Sequence, residues 1–351
     1  MHNLVVKPVQ NAGEFTEAYD IALSVFAENT TMPGYADYKL FNWECDPYFE
    51  YKNILLARHN GKPAGLIRIV PRKLFRGTRS FSVAGISSVC LLPQLRGQGL
   101  SVSLMEQTLA YCKEQGYEIA FLFARRAADY YYTRFGFHGI ASYSRVFVSS
   151  SSKDTQMQLS VSEVGDSLYD VYNNAYENCY RDCFGRIERT TGYWKFIINA
   201  IERRMDHRFY TIRLNKIPIG YLIAGQTNIC EIAVNKIIPG EELVHLIVGN
   251  RLVECTNDKI EIEMLPQHAL INSFRGSDIT VQSRECTYGG RMVKILDVDA
   301  VNDKLKKQIT LQRKDRLSYE DTCNLLGVFS PTASQNEEDR LPFDIGSIDH
   351  F

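Results

Sequence analysis

The chain has 351 residues, more than one hydrophobic core usually serves, so two domains are expected. With 45% apolar and 23% charged residues it has the composition of an ordinary globular protein. Forty basic residues against 41 acidic ones leave a formal net charge of −1, which argues against a nucleic-acid surface. No apolar run approaches the ~20 residues of a membrane helix, and Met1 to Lys7 reads as the start of a strand rather than a signal peptide. The nine cysteines are scattered, Cys179 and Cys183 are the closest pair, and no His group completes a metal site. Reduced thiols in the cytoplasm, without metal, are the expectation.

In chain order, Asn3 to Pro8 reads as a strand. A polar turn at Asn11-Ala12-Gly13 precedes a helix from about Glu14 to Glu28, with Phe15, Tyr19, Ala22, Leu23 and Phe26 on one face. Ile54 to Arg58 and Ala64 to Val70 are strand-like and joined by Asn60-Gly61, a strong hairpin signal. A turn at Arg76-Gly77 leads to a strand over Ser80 to Leu92. A helix follows from about Gly99 to Glu114, closed by Gly116. Ile119 to Phe123 reads as a buried strand, Tyr130 to Tyr132 as a short helix ending at Gly136, and Ile140 to Val148 as the last strand of the first domain.

Ser149 to Lys153 has the composition of a linker. Beyond it Trp194, Ile197, Ile198 and Ile201 recur at helical spacing. Asn60-Gly61-Lys62-Pro63-Ala64-Gly65 and Asn215-Lys216-Ile217-Pro218-Ile219-Gly220 share the pattern N-x-x-P-x-G between strands, 155 positions apart, which points to duplication. Asp303 to Asp321 is charged with a helical pattern, Cys323 to Leu326 is apolar, and the apolar final segment ending in Phe351 is expected to dock on the protein. The expected partition is therefore 1–150, 155–300 and 301–351.

Chemistry concentrates in Val89-Cys90-Leu91-Leu92-Pro93-Gln94-Leu95-Arg96-Gly97-Gln98-Gly99-Leu100-Ser101. A strand gives way to glycines and then to a helix whose first amides are free donors, a natural site for a pyrophosphate. No Lys-Ser/Thr pair follows the glycines, as a Walker loop requires. A dinucleotide fingerprint would need a glycine where Val102 stands.

What remains resembles the GCN5-related N-acetyltransferases (GNAT), whose hallmark Q/R-x-x-G-x-G/A corresponds to Gln94-Leu95-Arg96-Gly97-Gln98-Gly99. A second match is Tyr132-Thr133-Arg134-Phe135-Gly136-Phe137, where that family carries a tyrosine and the consensus G-F. The resemblance covers Met1 to about Val148. It implies an α/β (α+β) fold with a mixed, mostly antiparallel central sheet, and acetyl-CoA as co-substrate. It further implies that the backbone of Val89, Cys90 and Leu91 holds the pantetheine arm. The amides from Gly97 through Gln98, Gly99, Leu100 and Ser101 to Val102 would hold the pyrophosphate, and Tyr132 would stand near the thioester sulfur as an acid. The order of the whole chain is similar to the enhanced intracellular survival aminoglycoside acetyltransferases, which pair two such domains with a C-terminal segment. By that likeness the Phe351 carboxylate would be a base, although an α-carboxylate with a pKa near 3.5 needs burial to serve as one.

The second half lacks the cofactor motif. Ile237-Ile238-Pro239-Gly240-Glu241-Glu242 places two carboxylates at a helix start, where they would repel a pyrophosphate, so this copy is expected to be degenerate. Trp43, Asp46, Tyr48 and Phe49 are either acceptor-pocket or core residues. Arg125-Arg126 departs from the small polar residues expected after the fifth strand, and His138 reads as a surface strand residue. The reading is an N-acetyltransferase for a primary amine of a small molecule or peptide, with no nucleic-acid or membrane partner and with homo-oligomer formation open. A cleft lined with acids would favour polycationic acceptors such as aminoglycosides. The alternative is a non-catalytic acyl-CoA-binding sensor or interaction module.

Overall fold

The computed structural model describes residues 4–27, 34–124, 128–139, 142–149, 157–161, 165–204, 206–236, 238–250, 260–265, 268–274, 280–287, 290–306 and 317–326. The first half contains β1 (Leu4–Pro8), α1 (Ala12–Phe26), α2 (Tyr35–Glu44), β2 (Ile54–His59), β3 (Lys62–Arg76), β4 (Arg79–Leu91), α3 (Leu100–Glu114), β5 (Ile119–Phe123), α4 (Asp129–Thr133) and β6 (Ser142–Ser149). The second half contains β7 (Met157–Val161), α5 (Asp166–Tyr180), β8 (Arg186–Ile187), α6 (Thr191–Arg203), β9 (Arg208–Leu214), β10 (Ile217–Ala224) and β11 (Asn228–Val234). It continues through α7 (Gly240–Gly249), β12 (Ile260–Met264), β13 (Thr280–Thr287), β14 (Arg291–Ile295), α8 (Val298–Leu305) and α9 (Tyr319–Leu326). Asn11, expected in a turn, is the N-cap of α1: its side chain accepts from the Glu14 amide at 3.1 Å, so the helix begins ahead of Glu14.

The strands form two sheets that repeat one plan. In the first the order is β1-β2-β3-β4-β5-β14, with β8 on the far end of β3. In the second it is β7-β9-β10-β11-β12-β6-β13, reading from the equivalent edge. Every neighbouring pair is antiparallel except β4–β5 and β11–β12, which stand at the same place in each sheet.

The matched turn motifs occupy matched positions. Asn60 and Asn215 both adopt φ of 50°, followed by Gly61 at 78° and Lys216 at 69°, the left-handed pair of a tight hairpin. Gly65 pairs with Leu91 of β4, and Gly220 pairs with Val234 of β11. A Cβ on Gly65 would lie 2.3 Å from the Cys90 carbonyl oxygen, and one on Gly220 would lie 2.1 Å from that of Ala233. Both glycines exist because two backbones approach too closely for a side chain. Gly65→Ala must push β3 off β4 at the end that shapes the candidate site. We expect a loss of about 1–3 kcal/mol in urea unfolding, and unchanged stability would contradict the close approach.

The two halves exchange strands. The segment expected as the last strand of the first domain is β6, and it lies in the second sheet between β12 and β13. The edge of β5 is covered instead by β14, with Arg291 to Ile295 antiparallel to Phe123 to Ile119. A boundary at residue 150 therefore does not divide the two sheets. Burial patterning marks a strand but does not say which edge it joins.

In the first sheet one face packs on α3 through Leu55, Ile67, Ile86, Leu100 and Leu104. The other packs on α1 and α2 through Phe15, Tyr19, Trp43, Ile54 and Leu66. Tyr172, Trp194, Phe209 and Tyr221 fill the core of the second half. Of the charged stretch 303–321, expected to be helical, the start lies in α8, which ends at Leu305 with the left-handed Lys306 (φ 53°) as its C-cap, the end lies in α9, and 307–316 lie outside the described residues. Lys304 donates to the Ser80 carbonyl at 2.9 Å and to Glu118 at 2.7 Å, and Arg76 donates to the Leu326 carbonyl at 2.6 Å. These bonds tie α8 and α9 to the first sheet.

Candidate active site

β4 carries one extra residue where it passes β3: Arg68 pairs with Ser87 but Leu66 pairs with Cys90, and Ser88 sits at φ 50°. Such a bulge bends the strand. Its parallel pairing with β5 stops at Ile86–Leu122, and β5 ends at Phe123. From Ser87 to Leu91 the β5-facing edge of β4 has no strand partner among the described residues. Its backbone groups are therefore open to an extended ligand.

A cavity of about 510 Å³ fills this opening, lined by Val89, Cys90 and Leu91 on one side and Ala128, Tyr131 and Tyr132 on the other. Its end is formed by Arg96, Gly97, Gly99, Leu100 and Ser101. Gly97 at φ 77° and Gly99 at φ 76° turn the chain from the Pro93–Leu95 turn into α3. Gly99 is the N-cap and has no side chain to bond the first amides, so the positive helix end faces the cavity. The Val102 amide, expected among the anion donors, already bonds the Gly99 carbonyl at 3.1 Å. Gln94 and Gln98 do not line the cavity, and the Gln98 side chain bonds the Gln94 carbonyl at 3.2 Å. Val25, Phe26, Leu95, Leu104, Ala128 and Tyr131 line it without having been expected as site residues. The helical phase of Phe26 was visible, but not which cavity it reaches.

The three adjacent tyrosines have different fates. Tyr130 is 73% exposed, which removes it from the site. Tyr131 donates to the Ser101 carbonyl at 2.8 Å and so props the start of α3. Tyr132 meets Tyr131 and Phe137 edge-on at ring distances of 5.1 and 6.1 Å, and its hydroxyl has no partner among the described residues. Burial pushes that hydroxyl up to about 12, so it is a proton donor at neutral pH. Burial likewise pushes the Cys90 thiol up to about 11, which makes it inert as a nucleophile.

Trp43 and Asp46 line a second cavity of about 460 Å³ on the α2 side of the sheet, with Ser87 and Ser88 in its wall. Tyr48 and Phe49 belong to a separate surface hollow. His138 is not a surface residue: it is half-buried, bridges to Val293, and its Nε2 lies 2.9 Å from the Leu317 carbonyl. Arg125, Arg126 and Phe351 lie outside the described residues. In the second half β11 leads to α7 without a left-handed glycine among the described residues, and the Glu242 amide bonds the Pro239 carbonyl at 3.1 Å. No group of three His, Cys, Asp or Glu residues is placed to hold a metal, and no helix could cross a membrane, among the described residues.

A family model described as the acetyltransferase (GNAT) domain matches residues 6–140, the stretch that carries the splayed sheet and the glycine turn. The match covers the first sheet's side of the chain, and the second sheet repeats the strand plan of the first without a left-handed glycine turn among the described residues. A GCN5-related N-acetyltransferase from Anabaena variabilis is similar over 85% of this chain and 74% of its own, with a TM-score of 0.63 and 18% identity. Eis1 from Mycobacterium abscessus is similar over 86% and 75%, with a TM-score of 0.57 and 16% identity. A GCN5-related N-acetyltransferase from Kribbella flavida covers 85% and 73%, with a TM-score of 0.60 and 13% identity. At these identities the likeness is one of fold. A search of curated proteins returns no match.

Proposed function

We propose that the chain is an acetyl-CoA-dependent N-acetyltransferase of the cytoplasm that acetylates a primary amine by direct attack in a ternary complex. The observation that carries this reading is the open β4 edge between the glycine turn and Tyr132. Residues 1–150, without β6 and completed by β14, form the catalytic domain. Residues 155–300, with β6 in their sheet, form the silent copy, and 301–351 the docking segment.

Val89 to Leu91 bind the pantetheine arm as an added strand would, and the amides at the start of α3 take the pyrophosphate. The acceptor nitrogen attacks the thioester carbonyl, the carbon–sulfur bond breaks, and Tyr132 gives its proton to the departing sulfur. The proton lost by the nitrogen passes to solvent, which restores the tyrosine. Holding both substrates at one point supplies much of the acceleration.

Calorimetric titration with acetyl-CoA tests this: one site per chain is expected. Gly99→Ala strains a left-handed residue by about 1–2 kcal/mol and adds a methyl to the cavity wall. We expect it to weaken acetyl-CoA binding on the order of tenfold. No binding to the unaltered chain, or two sites per chain, would refute the assignment.

A further inference from the structure

We propose that the second cavity binds an amine acceptor that also carries a carboxylate, as an amino acid does, and not a polycation. This rests on the acetyl-CoA reading for where the transfer occurs, but the anion preference follows from the cavity alone. The cavity is enclosed by α2, β3, β4 and α6, and Asp46 is the only acid among the described residues that line it. Lys39, Arg68, Arg72 and Arg204 line it as well.

Two of these cations have their charge met within the protein. Arg72 grips Asp46 with both ends of its fork, at 3.2 and 2.8 Å, and also bonds the Tyr193 hydroxyl at 3.2 Å. Arg204 grips Asp206 in the same way at 3.1 Å twice.

The other two are less fully met: Arg68 shares Asp46 with Arg72, and Lys39 has no acidic partner among the described residues. Arg68 reaches Asp46 only at 3.5 Å, through an Nη2 that also donates to the Asn42 carbonyl at 2.8 Å. Its Nε and Nη1 donors have no partner among the described residues, although the side chain is only 8% exposed. Lys39, also buried, bonds only the Ser88 hydroxyl, at 3.5 Å, and has no acidic partner among the described residues. The Trp43 ring lies against both, 5.2 Å from the Lys39 ammonium and 5.7 Å from the Arg68 guanidinium.

Buried charge without a partner is costly, and burial with Arg68 nearby pulls the Lys39 ammonium down to about 8. A carboxylate seated on Arg68 supplies a second negative charge to a cavity with one acid for four cations and accepts from a donor that Arg68 leaves free, Nε or Nη1. Tyr38, Tyr193 and Phe196 give the ligand an aromatic wall.

The location suits acetyl transfer. Arg68 stands opposite Ser87 in the β3–β4 register, and Lys39 touches Ser88 of the bulge. Phe26, which lines the first cavity, lies 4.8 Å from the Lys39 ammonium, so the two cavities meet at this point. An amine a few bonds from a carboxylate on Arg68 reaches the bulge. The neighbouring cations favour its neutral, nucleophilic form. A polycation would meet like charges instead.

The test is a calorimetric panel on the full chain, with and without acetyl-CoA. It pairs each of the common L-amino acids with the amine that lacks its carboxylate, and adds kanamycin as a polycation. At least one amino acid should bind ten times or more tightly than its paired amine. Arg68→Gln should abolish that difference while acetyl-CoA affinity stays unchanged. Lys39→Met, which removes the cation that has no acidic partner among the described residues with little change in volume, should also weaken the amino acid, and this serves if the Arg68 variant does not fold. Amines or kanamycin binding as well as the amino acids, or no amino acid binding at all, overturns the proposal. Loss of acetyl-CoA binding alone would overturn the donor-site reading and leave this one standing.

Discussion

Tyr132→Phe is expected to lower turnover by about 100-fold or more, the usual span for removing a general acid, with acetyl-CoA affinity kept within about threefold. The substitution deletes one oxygen and keeps the ring contacts with Tyr131 and Phe137. Because that hydroxyl holds no structural bond among the described residues, the loss falls on the chemical step. Tyr131→Phe is the contrast, since it removes a bond to the Ser101 carbonyl. It should instead loosen the helix start by about 1 kcal/mol and raise the KM for acetyl-CoA. Release of CoA with a competent amine reads both variants. Full turnover in Tyr132→Phe would remove this residue from the mechanism and favour the non-catalytic reading of the site.

Arg189→Met is expected to cost about 3–5 kcal/mol of stability, because it strands a buried carboxylate. Arg189 binds Glu231 through both nitrogens at 2.6 and 2.8 Å, with 0% and 2% side-chain exposure. The Tyr221 hydroxyl closes on the same carboxylate, and the guanidinium lies 4.0 Å from the Tyr176 ring and 4.8 Å from that of Trp194. These groups hold β11 to the core of α5 and α6. The double variant Arg189→Met with Glu231→Leu should recover most of the loss, since replacing both charges avoids the stranded ion. Urea unfolding of the three proteins checks this, and equal stability of the single and double variants would show that packing, not charge, is at stake.

Where the candidate site is local in the chain, its backbone was legible. The glycines at 97 and 99, the strand before them and the helix after them are contiguous, and glycine takes the left-handed backbone at both positions without a steric penalty. The paired N-x-x-P-x-G turns were also legible, and the structure supplies their cause in Gly65 and Gly220 pressed against the neighbouring strand. The individual donors were less so. Val102 fits the motif, yet its amide is spent on Gly99, because the helix has already closed its first turn there.

What the sequence by itself determined was the glycine turn with the helix after it and the paired N-x-x-P-x-G hairpins, and by resemblance of two motifs the fold class. The turns rest on the conformations a residue type permits. Only the tertiary structure decided that β6 and β14 cross between the sheets, since alternation specifies a buried face and not a partner. It alone brought Lys39, Arg68 and Arg72 into one cavity with a single aspartate and with α6 as the opposite wall. Whether a cleft is acidic or basic depends on which of 40 bases and 41 acids fold into it, and that balance is set by packing between segments over a hundred residues apart.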